Sequence, residues 1–428
     1  MPNAVKCFPK VLVISHNAFN LQNNMGQTLA AFFRNWPQAC IAQLFFHDDE
    51  PDWSVCNRYY KVTDFDVLRS FVGRSSAGRV RKSEVRPNEV HSAIYQKARS
   101  RKPYQFIVRN AMWRFGHWYT AELKKWIHEF KPEIIFFATG GYSFAYRVAK
   151  RIGRDFSVPI IPYICDDFYY LPSPKHQLLR RYVNWNVRNE IRGLIKSSPK
   201  YICISEQMKQ AYDQEFGASG QVIMTGTAEA ASVPIVLREQ FSIDDPMRLC
   251  YMGRLGMGRL QAILSLADSI EKATLPVKIL VYTTETNEEM LAPLRLSRVI
   301  SLEEPVAFVK VVDTMRQCDV ALHIESFDEA MMVRTRYSVS TKIPSMLATG
   351  MPILAVGPND IASMQYLRKT RGAVLVTKPD EIAEGIERCF DLSVRDACLR
   401  NAREAMKNHD VEENQRSLLK LFDSCIKE

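Results

Sequence analysis

The chain has 428 residues, with 46% apolar and 24% charged side chains. That is a length for two or three domains, and it excludes wholesale disorder, a collagen-like repeat and a small disulfide scaffold. The net charge of +10 is uneven: residues 1–235 hold 32 Lys/Arg against 19 Asp/Glu, and residues 236–428 hold 25 against 28. Arg69 to Lys125 alone carries 14 basic and 3 acidic residues, a patch that predicts a polyanionic partner.

In chain order, short apolar runs alternate with helical patterns. Strands are predicted at Val11–Ser15, Cys40–Phe46, Glu133–Thr139, Val158–Cys165 and Tyr201–Ser205. Helices fall between them at Gln27–Trp36, Trp118–Phe130, Tyr142–Gly153, Lys175–Lys196 and Glu206–Phe216. Continuous apolar strands separated by helices read as parallel strands buried on both faces, a doubly wound α/β domain. The pattern restarts with strands at Leu249–Met252, Val277–Thr283, Val320–Ile324, Ile353–Val356 and Ala373–Val376. Their helices are Arg259–Lys272, Val306–Gln317, Ser340–Thr349, Asp360–Lys369 and Asp380–Phe390. The join is expected near Thr225–Glu239, and helices Val394–Lys407 and Val411–Ile426 end the chain. Two Rossmann-like domains in tandem place a ligand crevice between the carboxyl ends of their strands.

Ten cysteines run from Cys7 to Cys425 without a C-x-x-C pair or a zinc-like spacing, so they read as reduced thiols of a cytosolic protein. The N-terminus lacks a signal-peptide layout, and no apolar stretch approaches the ~20 residues that span a bilayer. Membrane contact is therefore expected to be peripheral. The basic segment interleaves Trp113, Phe115, Trp118, Tyr119 and Trp126 with its charges. That mixture suits an interfacial helix on an anionic membrane surface; the other reading is a solvated helix whose aromatics join the core. No nucleic acid partner is expected, because no RRM, KH or helix-turn-helix pattern accompanies the charge.

Two clusters carry chemistry. The second domain opens with a strand running into Gly253, Arg254, Leu255, Gly256, Met257, Gly258 and Arg259. Glycine admits close approach of backbone to a ligand, a helix N-terminus favours anions, and Arg binds phosphate bidentately. The glycine spacing is not G-x-G-x-x-G, which argues against a dinucleotide dehydrogenase, and no P-loop is present. The second cluster is Ser340-Thr-Lys-Ile-Pro344, closing on Gly350, Met351 and Pro352. Ser340 or Thr341 is expected to cap a helix with Lys342 in its first turn, a position that makes sense beside an anion such as a diphosphate.

These residues resemble those of the retaining GT-B glycosyltransferases, specifically glycosyltransferase family 4 and its relatives. Gly253, Arg254 and Leu255 match the family's G-R-L-x-x-x-K-G run, with Arg259 at the lysine position. His323-Ile-Glu-Ser-Phe-Asp328, the S-T-K-I-P segment and Leu347-Ala-Thr-Gly-Met-Pro-Ile-Leu354 follow in family order. The resemblance covers most of residues 249–376; in the first half it rests on the strand-loop-helix layout and on Asp166 and Asp167. It implies an α/β GT-B fold of two Rossmann-like domains facing a cleft. Residues 1–230 would be the acceptor domain with a basic insertion around 69–125, and 231–409 the donor domain. Residues 410–428 would form a helix returning to the first domain.

The resemblance further implies a nucleotide-sugar donor, UDP- or GDP-linked, with no cofactor and no metal. Gly253, Arg254, Arg259, Ser340, Thr341 and Lys342 would hold its diphosphate. The family's E-x7-E pair falls on Tyr337 and Ser345, so Ser345 would meet the donor ribose or sugar without a charge. Glu325 is the carboxylate placed to substitute in part; otherwise it is a strand-end group paired with Arg334 or Arg336. His16 and the loop through Gly26 follow the first strand and would face the acceptor, His16 as base or hydrogen-bond partner. Asp166 and Asp167 are expected to end a buried strand, where adjacent residues point oppositely, so only one of them would face the cleft and orient acceptor hydroxyls; the other reading is that they cap the next helix or bind nothing. The reading is a glycosyltransferase acting on a glycan or lipid-linked polysaccharide acceptor, with retention. It would be cytoplasmic, at the inner face of the membrane. The alternatives are a nucleotide-sugar epimerase of related fold and a catalytically silent GT-B-like subunit.

Overall fold

The computed structural model describes residues 8–20, 24–73, 77–80, 82, 102–173, 176–227 and 236–427. Residues 74–76, 81 and 83–101 of the basic segment lie outside the described residues. So do residues 21–23 of the loop through Gly26, the start of the expected helix at Lys175, and 228–235 of the expected join.

The chain divides into two units: residues 1–223 with 414–428, and residues 224–413. The first is built on an eight-stranded sheet in the order β4-β3-β2-β1-β5-β6-β7-β8. Its strands are β1 (Val11–Ser15), β2 (Ile41–Phe45), β3 (Tyr59–Lys61), β4 (Gly78–Arg79), β5 (Ile134–Ala138), β6 (Ile160–Ile164), β7 (Tyr201–Cys203) and β8 (Gly220–Val222). All pairs are parallel except β3 with β4. β1, β2 and β5 are buried along their whole length, as strands covered by helices on both faces must be. The strand order reverses between β1 and β5, which is where open α/β sheets form ligand crevices.

The second unit holds β9 (Met247–Met252), β10 (Val277–Tyr282), β11 (Ile300–Glu303), β12 (Val320–Ile324), β13 (Ile353–Val356) and β14 (Ala373–Val376). Their order is β11-β10-β9-β12-β13-β14, all parallel, and it reverses between β9 and β12. One apolar core joins Leu249, Ile263, Leu266, Ile279, Leu322 and Leu354.

The first unit closes at residue 223 rather than 230, because Gly220–Val222 forms an edge strand on β7. From Asn414 onward the helix Val411–Lys427 is counted with the first unit. There Phe422 sits edge-on to Trp36, with ring centroids 5.8 Å apart.

Inside the basic segment the placement of the aromatics corrects the expectation of a lipid-facing row. Trp113, Trp118 and Trp126 are buried in the first unit. Trp113 stacks on Phe144 at 4.2 Å, and Trp126 packs on Tyr60 at 5.3 Å. Phe115 is the exposed member. The helices Pro103–Phe115 and Ala121–Phe130 thus turn their indoles into the core. Among the described residues no helix is long and apolar enough to cross a membrane, and nine cysteines are unbridged.

His409 pins the two ends of the second unit together. Its Nδ1 donates to the Thr225 carbonyl (2.9 Å), and its Nε2 accepts from the Tyr366 hydroxyl (2.8 Å). These roles are those of the neutral ring, the form that burial favours by pulling its pKa from 6.5 down to about 4. An unfolded His binds its proton below about 6.5, whereas the folded one waits until about 4. Stability present above the unfolded value is therefore lost as pH falls through that window, by up to about 1.4 kcal/mol per pH unit. Urea unfolding at a series of pH values is expected to show this slope, and His409→Gln to reduce it.

Candidate functional site

The site residues expected from sequence fall into two groups, one in each unit. In the second unit the group forms at the reversal point between β9 and β12. β9 runs into Gly253–Gly258, and the helix Arg259–Lys272 starts at once. The turn is tight. Gly258 has φ +75°, and a Cβ there would lie 2.2 Å from Ser326 Oγ. Tyr251 Oη donates to the Arg254 carbonyl (2.7 Å) and holds the loop over the strand end.

Arg259 reaches across to the end of β12. Its Nε donates to the Ile324 carbonyl (3.2 Å) and its Nη2 to Glu325 Oε2 (3.0 Å). Glu325 is therefore paired with Arg259, not with Arg334 or Arg336. Burial raises the Glu325 carboxyl pKa, and the charges of Arg259 and Lys342 pull it back. Beneath the pair lies His323, whose Nε2 is 3.6 Å from Glu325 Oε1. Burial first, then the cations Arg259 and Lys342, hold the His323 pKa down to about 3, so its ring is neutral.

Lys342 approaches from the other side. A Cβ on Gly253 would lie 2.8 Å from Lys342 Nζ, so the absence of a side chain at 253 is what admits the lysine. Half-buried, Lys342 has its pKa lowered to about 8 by burial first and then by Arg259 and Arg254, against the opposing pull of Glu325. Arg254 itself is exposed.

The local helix is shorter than expected. It spans Ile343–Ala348, so Lys342 precedes it rather than entering its first turn. Neither Ser340 nor Thr341 caps it. Ser340 Oγ accepts from Lys342 N (3.4 Å), and Ser340 N donates to Ser363 Oγ (2.9 Å). Pro344 lacks an N–H and suits the first turn. Thr341 is exposed and Ser345 is buried within the helix. The structure thus brings Gly253, Arg259, Glu325 and Lys342 together, and Arg254 is close enough to act on Lys342 electrostatically. His323 and Ser326, quoted from the sequence only as members of the 323–328 run, and Tyr251 join the site without having been given a role there.

In the first unit His16 follows β1 and lies against the turn after β5. A Cβ on Gly140 would be 3.1 Å from its Cδ2. Its ring is edge-on to Tyr142 (4.9 Å) and Phe46 (5.6 Å). The loop is fixed from beneath by buried Gln43, which donates to Ser15 Oγ (2.9 Å) and accepts from Phe19 N (2.9 Å). Asn17 Nδ2 donates to Asp49 Oδ2 (2.8 Å), which also accepts from Ala18 N (3.2 Å).

Asp166 and Asp167 lie beyond β6, which stops at Ile164, so they do not end the strand as expected and strand alternation does not set their directions. Asp166 is exposed and Asp167 buried. Asp167 accepts from Tyr212 Oη (2.7 Å) and from the N–H groups of Tyr169 (2.9 Å) and Tyr170 (3.2 Å). Burial raises its pKa, and these donors lower it again. Its oxygens are occupied in shaping the 168–170 loop. Among the described residues no group of three or more His, Cys, Asp or Glu side chains is placed to hold a metal ion.

Residues 80–227 match the family model described as Glycosyltransferase Family 4. No curated protein matches. Solved structures similar to the chain include an α,α-trehalose 6-phosphate synthase from Burkholderia multivorans. It has a TM-score of 0.61 and 12% identity over 98% of this chain and 97% of that one. Sucrose-phosphate synthase from Thermosynechococcus elongatus gives 0.59 and 11% over 97% and 98%. A TarM variant from S. aureus gives 0.58 and 8% over 97% and 99%. At these identities the likeness is one of fold: two parallel-sheet Rossmann-like units of the GT-B type. With the family 4 match inside that fold, the chain is a glycosyltransferase.

Proposed function

We propose that the protein moves a sugar from a UDP- or GDP-linked donor to a hydroxyl of a glycan or lipid-linked polysaccharide intermediate, with retention at the anomeric carbon. The observation that carries this reading is the cationic excess at the end of β9. Arg259 and Lys342 are held together, Arg254 stands nearby, and one buried carboxylate, Glu325, offsets them. In the turn beside them, Gly256 has open space where a side chain would stand. Two negative charges on a diphosphate would complete the balance. As the bond from sugar to diphosphate breaks, charge builds on the leaving oxygen, and cations already in place stabilise it without reorganising.

Glu325 in this reading orients Arg259 rather than touching the sugar. Ser345 would offer its hydroxyl to the donor ribose. In the first unit His16 and Asp166 would hydrogen-bond the acceptor hydroxyl, with Asp167 supporting their loop. The S. aureus TarM structure holds α-GlcNAc-glycerol and UDP, and a trehalose-phosphate synthase from Burkholderia xenovorans holds glucose-6-phosphate. These ligands support a nucleotide-sugar donor with a sugar-bearing acceptor here. The epimerase and silent-subunit alternatives are not favoured. A peripheral seat on the inner face of an anionic membrane fits the +10 charge and a lipid-linked acceptor.

A thermal-stability screen against a nucleotide-sugar panel tests the reading. A true donor at about 100 times its Kd adds about 2.7 kcal/mol of stability. Donor turnover in the presence of an acceptor glycan is then expected for the same compound. No stabilisation by any UDP- or GDP-sugar, or conversion of the donor alone into an epimer, would sink it.

A further inference from the structure

The helix Pro103–Phe115 buries Arg109 and Trp113 yet turns a second apolar stripe to solvent. Tyr104, Val108 and Phe115 lie on one face, and Val108 and Phe115 are 63% and 68% exposed. This helix packs between two others, Asp64–Ser70 and Leu178–Ser197. Both neighbours do the same. Leu68 and, just past the helix end, Val72 (71%) are exposed on one side; Leu178 (74%), Tyr182 and Trp185 (57%) are exposed on the other. Isolated exposed apolar residues are ordinary, but stripes on three adjacent helices mark an interaction surface.

The charges on these helices are one-sided. Their acidic residues are Asp64, Asp66 and Glu190, and each is engaged within the protein. Asp64 accepts from Arg109 Nε (2.7 Å) and Trp113 Nε1 (2.8 Å). Asp66 accepts from Thr63 N (2.7 Å) in the cap of its helix. Glu190 pairs with Lys150 and with Arg147. Arg69, Arg114 and Arg181 remain exposed among the apolar side chains.

We propose that this face is the docking surface for an anionic lipid bilayer. Leu, Val and Phe side chains enter the boundary between headgroups and acyl chains, Trp185 and Tyr182 sit at headgroup level, and the arginines meet lipid phosphates. The proposal deepens the membrane part of the function above and rests on it for its relevance to a lipid-linked acceptor. Its physical basis is independent of the donor site.

Sedimentation of the full chain with vesicles tests it. Binding is expected to vesicles of phosphatidylcholine mixed with phosphatidylglycerol, not to phosphatidylcholine alone, and to be lost at high salt. Brominated acyl chains are expected to quench fluorescence, and Trp185→Phe to remove most of that quenching. The double variant Val108→Ser with Phe115→Ser is expected to bind about tenfold more weakly or worse, since each buried methylene multiplies partitioning about fourfold. Its melting temperature and UDP affinity are expected to stay unchanged.

Equal binding to both vesicle types, or undiminished binding by the double variant, would overturn the proposal. So would a dimer in solution that the double variant dissociates, because the face would then be covered by a second copy. UDP-sugar binding measured on the same samples separates the two readings. Its loss with vesicle binding intact would count against the donor site alone.

Discussion

Arg259→Ala is expected to weaken UDP or GDP binding by about 1.5–3 kcal/mol, the scale of a charged hydrogen bond, and to destabilise the protein as well. The second effect follows from the pairing at the strand ends. Arg259 is the ion-pair partner of Glu325, only 3% exposed at its side chain, and opposes the rise in carboxyl pKa that burial causes. Truncating it leaves a buried carboxylate with Lys342 as its remaining nearby cation, a loss of about 3 kcal/mol at neutral pH. The variant relieves this by protonating Glu325, so its deficit is expected to shrink as pH is lowered. The sign is that of an acid whose folded pKa is raised, with the stability lost as pH rises through that value. Calorimetry for nucleotide affinity and urea unfolding at two pH values measure both effects. Arg259→Ala combined with Glu325→Gln is expected to recover stability without recovering affinity. If affinity were unchanged in the single variant, the diphosphate would have to bind elsewhere.

The strands most legible in the sequence are those buried along their whole length. Val11–Ser15, Val320–Ile324 and Ile353–Val356 have the predicted bounds because helices on either side demand an unbroken apolar run. Ala373–Val376 also has its predicted bounds, although it is an edge strand with alternate residues buried. Tyr59–Lys61, Gly220–Val222 and Ile300–Glu303 were not legible. Three or four residues carry no periodicity, and these strands form because a neighbouring ladder offers them partners. The glycine turn at 253–258 was visible as composition. The Arg259–Glu325 pair was not, since it joins residues 66 apart in sequence. It exists because β9 and β12 are neighbours at the point where strand order reverses. The basic segment shows a different limit. Trp113 and Phe115 are two residues apart on one helix and so lie on different faces. Composition located the aromatics but could not set the phase that buries one and exposes the other.

Lys342→Met is expected to stabilise the ligand-free protein while abolishing tight donor binding. In the folded chain the lysine pKa is lowered from 10.5 to about 8, which means that its charged form is disfavoured by its surroundings. Between those values the unfolded chain holds a proton that the folded chain has lost, so stability rises with pH across the window and the penalty is fully present below about 8. Allowing for partial exposure of the side chain, that penalty is about 2 kcal/mol at neutral pH. Methionine matches the stem of the lysine without the charge and relieves the penalty, at the cost of the electrostatic attraction to Glu325. A diphosphate reverses the balance. Its charge favours ammonium, so donor binding near pH 8 is expected to draw a proton from solution, and affinity to decline as pH rises above that. Titration calorimetry in two buffers of different ionisation enthalpy reads the proton uptake directly. A binding heat independent of buffer, with Lys342→Met binding UDP as the parent does, would remove Lys342 from the donor site. The opposite result would mean that a site which costs the empty fold stability is maintained for an anion.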